Sequence, residues 1–95
     1  MYGTVARMQL KAGAEPKIME LFGEYETLNV PGYVGLTVYR LDADPNELLM
    51  AVVFESKEAY RANAESPEQD ARYREMLELL ETEPQWQDGE IVYRV

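Results

Sequence analysis

The stretch FESKEAYRANAESPEQDARYREML, from Phe54 to Leu77, concentrates polar side chains that can do chemistry. Tyr60 can hydrogen-bond a carbonyl oxygen or relay a proton, and Asn63 lies about one helical turn later on the same face. The ordinary pKa of tyrosine, about 10, makes Tyr60 a poor base unless a cation is close, and Arg74 is the candidate cation. The alternatives are structural: a buried tyrosine ring bonded at its tip, an asparagine that ends a helix, and an arginine paired with a carboxylate.

The composition excludes several kinds of chemistry. The chain has no histidine, the commonest general base near neutral pH and the commonest haem and transition-metal ligand, and no cysteine. Nine basic residues oppose 18 acidic ones, and the net charge of −9 argues against nucleic acid and anionic membranes as partners. With no apolar run as long as a membrane span and no signal-peptide layout at the N-terminus, the sequence predicts a cytoplasmic protein.

The 95 residues of the chain predict one domain over 1–95. The chain begins with two periodic patterns, a strand and a helix. YGTVARMQL alternates as a strand does, with one face formed by Thr4, Ala6, Met8 and Leu10. Glu15 and Pro16 suit the first turn of a helix. Its apolar stripe follows at helical spacing in Ile18, Leu21, Phe22 and Tyr25. VPGY, from Val30 to Tyr33, then turns the chain.

Two adjacent strands follow, joined by a short turn. YVGLTVYRL predicts a strand from Tyr33 to Leu41, and DADPN is rich in turn formers and short enough for a hairpin. Simple alternation divides the second strand into one face with Val34, Leu36 and Val38 and another with Tyr33, Tyr39 and Leu41. The third strand is apolar at every position from Leu48 to Phe54.

The remaining segments predict a helix in two pieces and a last strand. Ser56 can cap the first piece, and Ser66 followed by Pro67 is a second start signal, with Gln69 at the position of a capping box. Pro84 ends this helix. EIVYRV then predicts a fourth strand, with one face formed by Ile91, Tyr93 and Val95.

The order β-α-β-β-α-β predicts an α+β, ferredoxin-like fold: one antiparallel sheet with its helices on one face. The third strand is apolar on both faces, so the helices leave one apolar face of the sheet uncovered. Because large apolar patches are seldom left in water, we expect a second copy of the sheet to cover this face in a twofold dimer. The alternative is that residues such as Tyr33 and Tyr39 are half-exposed strand residues.

This layout, with the segments VPGYVGLTVYR, DPNEL and ESKEAYRAN, resembles the antibiotic-biosynthesis monooxygenase family of the dimeric α/β-barrel superfamily, over nearly the whole chain. The resemblance implies a homodimer whose two sheets form a barrel, with a pocket in each protomer between sheet and helices. Family members include cofactor-free oxygenases of polyketide anthrones and phenols, and haem-degrading enzymes.

The match to the quinone-forming oxygenases is partial. Their motif W-E-S-x-x-A-Y-R begins with a tryptophan where this chain has Phe54, and its tyrosine corresponds to Tyr60. The later helix arginine corresponds to Arg74, and an asparagine of the third strand corresponds to Met50. Phe54 and Met50 share one face of the third strand, so they are expected to line a common wall, with core packing as the alternative.

The haem-degrading branch fits less well. Its strand asparagine, helix tryptophan and histidine ligand correspond to Ala6, Asn63 and Tyr73. All three residues differ, so the expectation is that the protein uses no haem and no other cofactor. The alternative is haem ligated by a tyrosine, which occurs in other proteins.

The expectation is therefore a cofactor-independent monooxygenase that acts on an aromatic phenol or an anthrone-like compound. Tyr60 and Arg74 would act on substrate oxygen atoms, and a small apolar aromatic ligand would bind against Phe54, Met50, Asn63 and Tyr73. The alternatives are a non-catalytic ligand-binding or interaction module on the same barrel, and an isomerase or lyase. The only tryptophan, Trp86, either anchors the subunit contact or caps the pocket.

Overall fold

The structure, a computed structural model, describes all 95 residues. Its elements in chain order are β1 (Tyr2–Gln9), α1 (Glu15–Gly23), a 3₁₀ turn (Glu24–Glu26), β2 (Tyr33–Arg40), β3 (Glu47–Phe54), α2 (Lys57–Ala64), α3 (Pro67–Leu77) and β4 (Gln85–Glu90). The four strands form one antiparallel sheet in the order β2-β3-β1-β4. The predicted ferredoxin-like α+β fold is confirmed.

The core lies between the helices and one face of the sheet. Alternate residues of the two central strands point into it, including Ala6 and Met8 of β1 and Leu48 and Met50 of β3. Residues of the helices that pack against them are Ile18, Leu21 and Met76. This burial follows the period of two in the strands and the period of 3.6 in the helices.

Serine caps divide the second helical region as the sequence predicts. The Ser56 hydroxyl accepts a hydrogen bond from the backbone N–H of Ala59 at 3.1 Å, and α2 begins there. The Ser66 hydroxyl accepts one from the N–H of Gln69 at 3.1 Å, with Pro67 in the first turn of α3. Each cap satisfies a donor that the helix itself leaves unpaired.

The expected faces of β2 need a correction at its start. Tyr33 pairs with Phe54 and Gly35 with Val53, so Val34 is an extra residue opposite two neighbouring residues of β3. Such a β-bulge reverses the side-chain alternation. Tyr33 therefore points to the same side as Leu36, toward the helices, and Val34 is exposed.

The fourth strand lies earlier than predicted. β4 runs from Gln85 to Glu90, and the predicted EIVYRV strand is wrong beyond its first residue. β4 pairs with β1, with Glu90 opposite Tyr2, and the last bond joins the Ile91 N–H to the Met1 carbonyl. The bonds to β1 end there, and Val92 to Val95 are exposed despite their favourable strand composition.

The second face of the sheet carries no helix. Residues whose side chains lie on it include Val5, Arg7, Leu49, Gln85 and Gln87, and Tyr39 is exposed at its edge strand. No helix is long and apolar enough to cross a membrane. The dimer that would cover this face, and the cytoplasmic location, stay predictions.

Candidate functional site

A cavity of about 360 Å³ lies between the helices and the covered face of the sheet. Its volume is within the range of small-molecule sites, roughly 300–1,000 Å³. Most of its wall is apolar, with Leu36 from β2 and Met50, Val52 and Phe54 from β3. The cavity, which is partly open to solvent, can therefore bind an apolar ligand against its wall.

A row of aromatic rings runs along one wall of the cavity. Tyr25 lies 5.3 Å from Tyr33, Tyr33 lies 5.8 Å from Phe54, and Phe54 lies 5.7 Å from Tyr60, measured between ring centroids. The bulge in β2 brings Tyr33 into this row. Tyr73 and Trp86, with centroids 6.0 Å apart, line another part of the wall. Tilted and edge-to-face rings at these spacings form a stable surface for a planar aromatic ligand.

One end of the row carries a polar group of three residues, Thr4, Tyr60 and Asp88, named here the Tyr60 cluster. The Tyr60 hydroxyl donates a hydrogen bond to Asp88 Oδ1 at 2.8 Å. Burial of the phenol, and next this bond to a carboxylate, raise the pKa of Tyr60 to about 12. Tyr60 is therefore a protonated hydrogen-bond donor at neutral pH and cannot act as the base.

Thr4 is the residue of this cluster that is buried without a partner. It lies opposite Asp88 in the pairing of β1 with β4, it is only 5% exposed, and its hydroxyl makes no hydrogen bond of standard geometry, although it lies near enough to the Tyr60 oxygen to oppose part of the rise in the pKa of Tyr60. An unpaired buried hydroxyl costs about 1–3 kcal/mol and is rare in folded proteins. Since Thr4 lines the cavity, a polar atom of a ligand can satisfy this hydroxyl.

The other end of the row carries a second polar group, Tyr25, Gln69 and Arg72, named here the Arg72 cluster. Gln69 Oε1 accepts hydrogen bonds from the Tyr25 hydroxyl and from Arg72 Nε, the latter at 3.1 Å. The Arg72 guanidinium lies 5.3 Å from the centroid of the Tyr25 ring. All three residues line the cavity.

The structure brings together five of the six site residues expected from the sequence. Tyr60, Phe54, Met50, Asn63 and Tyr73 all line the cavity. Their roles in binding or catalysis stay predictions.

Arg74 lies elsewhere. Its side chain is 77% exposed, is not part of the cavity wall, and pairs at 2.9 Å with Asp70, one turn earlier on α3, which does line the cavity. The expected pairing of Tyr60 with Arg74 is therefore not present, and the arginine in the wall is Arg72.

Sequence reasoning passed over Thr4, Asp88 and Arg72 as site residues. One signal was present for Thr4: it is the only polar residue on an otherwise apolar face of β1. Asp88 gave no such signal, because placing the last strand at residues 90–95 left it in a connecting segment. No group of carboxylates in the structure is arranged to hold a metal ion.

Comparison with known proteins gives a consistent result. A family model for antibiotic biosynthesis monooxygenases matches residues 1–75. SnoaB, described as a cofactor-independent oxygenase from Streptomyces nogalater, superposes with a TM-score of 0.83 at 14% identity, covering 99% of this chain and 95% of its own. Rv0793 from Mycobacterium tuberculosis superposes with a TM-score of 0.78 at 17% identity, covering 98% and 96%.

A conserved protein from Methanosarcina mazei Go1 superposes with a TM-score of 0.80 at 21% identity, covering 93% of this chain and 89% of its own. At such identities these structures are evidence for the fold alone. No curated protein sequence matches this chain.

Proposed function

This chain belongs to the antibiotic biosynthesis monooxygenase family, and from that premise we propose that it is a cofactor-independent monooxygenase acting on an aromatic phenol or anthrone-like compound. The observation that carries the proposal is the Tyr60–Asp88 hydrogen bond at the end of an apolar, aromatic-lined cavity. SnoaB, with the same fold, is described as cofactor-independent. The cavity volume of about 360 Å³ is in the range of small-molecule sites, and its aromatic wall suits a fused-ring compound.

The reaction needs no external reductant, because the substrate supplies the electrons. Removal of a proton makes one ring carbon electron-rich, and this carbon adds to O₂ and forms a C–O bond. The resulting peroxide takes up a proton. Its O–O bond then breaks as the second hydrogen leaves the same carbon as a proton. One oxygen atom becomes the new carbonyl, and the other leaves as water with the two hydrogens.

The Tyr60 cluster supplies the groups that such a reaction needs. Asp88 is the carboxylate that accepts the first proton, since Tyr60 donates to only one of its two oxygens and is itself already protonated. Tyr60 holds Asp88 in position, and the unpaired Thr4 hydroxyl donates to the substrate oxygen on which negative charge develops. Phe54, Met50, Asn63 and Tyr73 shape the cavity around the rings.

The test is oxygen consumption with anthrone and dihydroxynaphthalene substrates. We expect Tyr60→Phe to lower kcat/KM by at least about tenfold, because the variant no longer positions Asp88. Tyr93→Phe makes the same chemical change at a residue 83% exposed in the C-terminal segment and should leave the rate unchanged. Lack of turnover with every substrate, or equal rates in the two variants, would refute the proposal.

A second candidate, a non-catalytic module that binds a small aromatic ligand, is favoured by one observation. Tyr60 has no cation beside it, and its raised pKa keeps it protonated, so it is not the cation-assisted base that the sequence left open. Ligand binding without any oxygen consumption would identify this function.

We also propose that the protein is a homodimer in which the two open sheet faces pack together. The support is the apolar surface of Val5 and Leu49 that no helix of the chain covers. Twofold packing of one sheet on another buries the same residues of both copies.

A further inference from the structure

Arg72 is held in a fixed position at the wall of the cavity. Its Nε donates to Gln69 Oε1, and its guanidinium stacks near the Tyr25 ring, so both the side chain and its plane are constrained. Gln69 in turn is fixed by the Tyr25 hydroxyl and by the position of its own backbone at the Ser66 cap. A guanidinium restrained in this way loses little conformational entropy when it binds a ligand.

The charge of Arg72 is not neutralised within the protein. Its two terminal nitrogens make no hydrogen bond and no ion pair, since the side chain's only bond is through Nε. Three of the other five arginines pair with carboxylates: Arg7 with Glu47, Arg40 with Glu15 and Arg74 with Asp70. Arg61 and Arg94 make no ion pair, but neither lines the cavity. In a chain with twice as many acidic as basic residues, an arginine without a carboxylate partner that faces a cavity is available for an anionic ligand.

The row of aromatic rings connects this cation to the Tyr60 cluster. The row begins at Tyr25, which contacts Arg72, and continues through Tyr33 and Phe54 to Tyr60. A planar ligand lying along the row would meet a hydroxyl and a carboxylate at one end and a free guanidinium fork at the other. The two ends therefore select different substituents on one aromatic compound.

We infer that the substrate is a phenolic aromatic acid, whose carboxylate is bound by the terminal nitrogens of Arg72 while its hydroxyl lies at the Tyr60 cluster. The inference rests on the proposed function for the hydroxyl end and adds the carboxylate as a specificity determinant. The planar fork of an arginine matches a carboxylate in a bidentate arrangement, which a neutral substituent cannot reproduce.

The experiment compares two ligands that differ only at the charged substituent. Rhein is a dihydroxyanthraquinone carboxylic acid, and aloe-emodin carries a hydroxymethyl group in place of the carboxylate. Binding of each is followed by quenching of Trp86, the only tryptophan, which lines the cavity. The proteins are the wild type, Arg72→Gln, Arg72→Lys and the matched control Arg74→Gln on the same helix.

We expect the wild type to bind rhein at least about tenfold more tightly than aloe-emodin. Arg72→Gln should lose that preference while binding of aloe-emodin stays within about twofold, which also shows that the cavity is folded. Arg72→Lys, which keeps the charge without the fork, should be intermediate. Arg74→Gln should match the wild type.

Three results would overturn the inference: no preference for the acid in the wild type, equal loss of both ligands in Arg72→Gln, or the same loss of rhein in Arg74→Gln. Because binding is measured without turnover, its outcome is separate from that of the proposed function. Acid-selective binding without oxygen consumption would refute only the proposed monooxygenase function. Turnover without acid selectivity would refute only the proposed role of Arg72.

Discussion

Two effects favour the neutral form of the Tyr60 phenol. Its ring is packed against Phe54 and Tyr2, which removes water from the phenol, and its hydroxyl donates to Asp88, whose negative charge opposes a second one. The result is a pKa of about 12 in place of the ordinary 10.0. A tyrosine of this kind orients a neighbouring base, so the proton-accepting role falls to the carboxylate beside it.

Spectrophotometric titration of the seven tyrosines tests this assignment. We expect one phenol to ionise at about 12, to disappear in Tyr60→Phe, and to move toward 10.0 in Asp88→Asn. Because burial also raises the pKa of Tyr33, the Tyr60→Phe difference spectrum is needed to identify the transition. Ionisation of Tyr60 together with the exposed tyrosines would contradict the prediction.

The raised pKa of Tyr60 also determines whether the free energy of unfolding rises or falls with pH. Since the folded-state pKa lies above the unfolded value, the folded chain keeps the Tyr60 proton longer. The stabilisation is fully present below about pH 10 and is lost as the pH rises toward 12. Tyr60→Phe should therefore show a smaller loss of stability than the wild type across this alkaline range.

At the residue scale, the sequence predicted the uncharged residues of the cavity wall more accurately than the arginine among them. Tyr60 and Asn63 share a helix face, and Phe54 and Met50 share a strand face, so local periodicity is enough to group them. Arg72 and Arg74 are two positions apart on α3, which rotates them by about 200°. The motif match assigned Arg74, and this displacement by two residues placed the predicted arginine on the opposite side of α3 from Arg72, which lines the cavity.

At the scale of helices and strands, the turn before β2 determines where α2 lies. Gly32 has a φ of 78°, and its carbonyl accepts a hydrogen bond from the Glu55 N–H at 2.8 Å. A Cβ at Gly32 would lie 2.4 Å from the Cβ of Ala59, the residue before Tyr60. The absence of a side chain therefore allows α2 to approach this turn and presents Tyr60 to the cavity.

Gly32→Ala should destabilise the protein by at least about 2 kcal/mol, from the left-handed backbone and the collision with Ala59 together. Gly23→Ala is the matched control: its φ of −62° is helical, and an added Cβ meets nothing within 4 Å. This variant should be neutral or slightly more stable. Urea denaturation measures both, and equal stabilities would show that the turn does not constrain α2.

The two errors at the element scale have one physical cause. The bulge at Val34 and the position of β4 are decided by pairing with strands that lie far away in the sequence. EIVYRV has the better strand composition, yet the segment QWQDGE pairs, because its register places Gln85 opposite Arg7 and Glu90 opposite Tyr2 of β1. Local composition predicts that a strand exists more reliably than it predicts its register.

At the scale of the whole molecule, apolar surface is distributed unevenly. The helices cover one face of the sheet, while Val5 on the other face is 42% exposed and has apolar neighbours. The sequence predicted this excess from β3, which is apolar on both faces. No helix of the chain covers the open face, and the proposed dimer would cover it with a second copy of the sheet.

Val5→Glu tests the proposed dimer by placing a charge at the middle of the open face. Because the twofold axis would bring two such charges into one buried interface, we expect dimer affinity to fall by at least about tenfold in sedimentation velocity runs. Met19→Glu introduces the same charge at a similarly exposed residue, 37% exposed on α1, and should remain dimeric. Circular dichroism should find both variants folded, since each position is already partly in water. A wild-type protein that sediments as a folded single subunit at micromolar concentration would contradict the dimer.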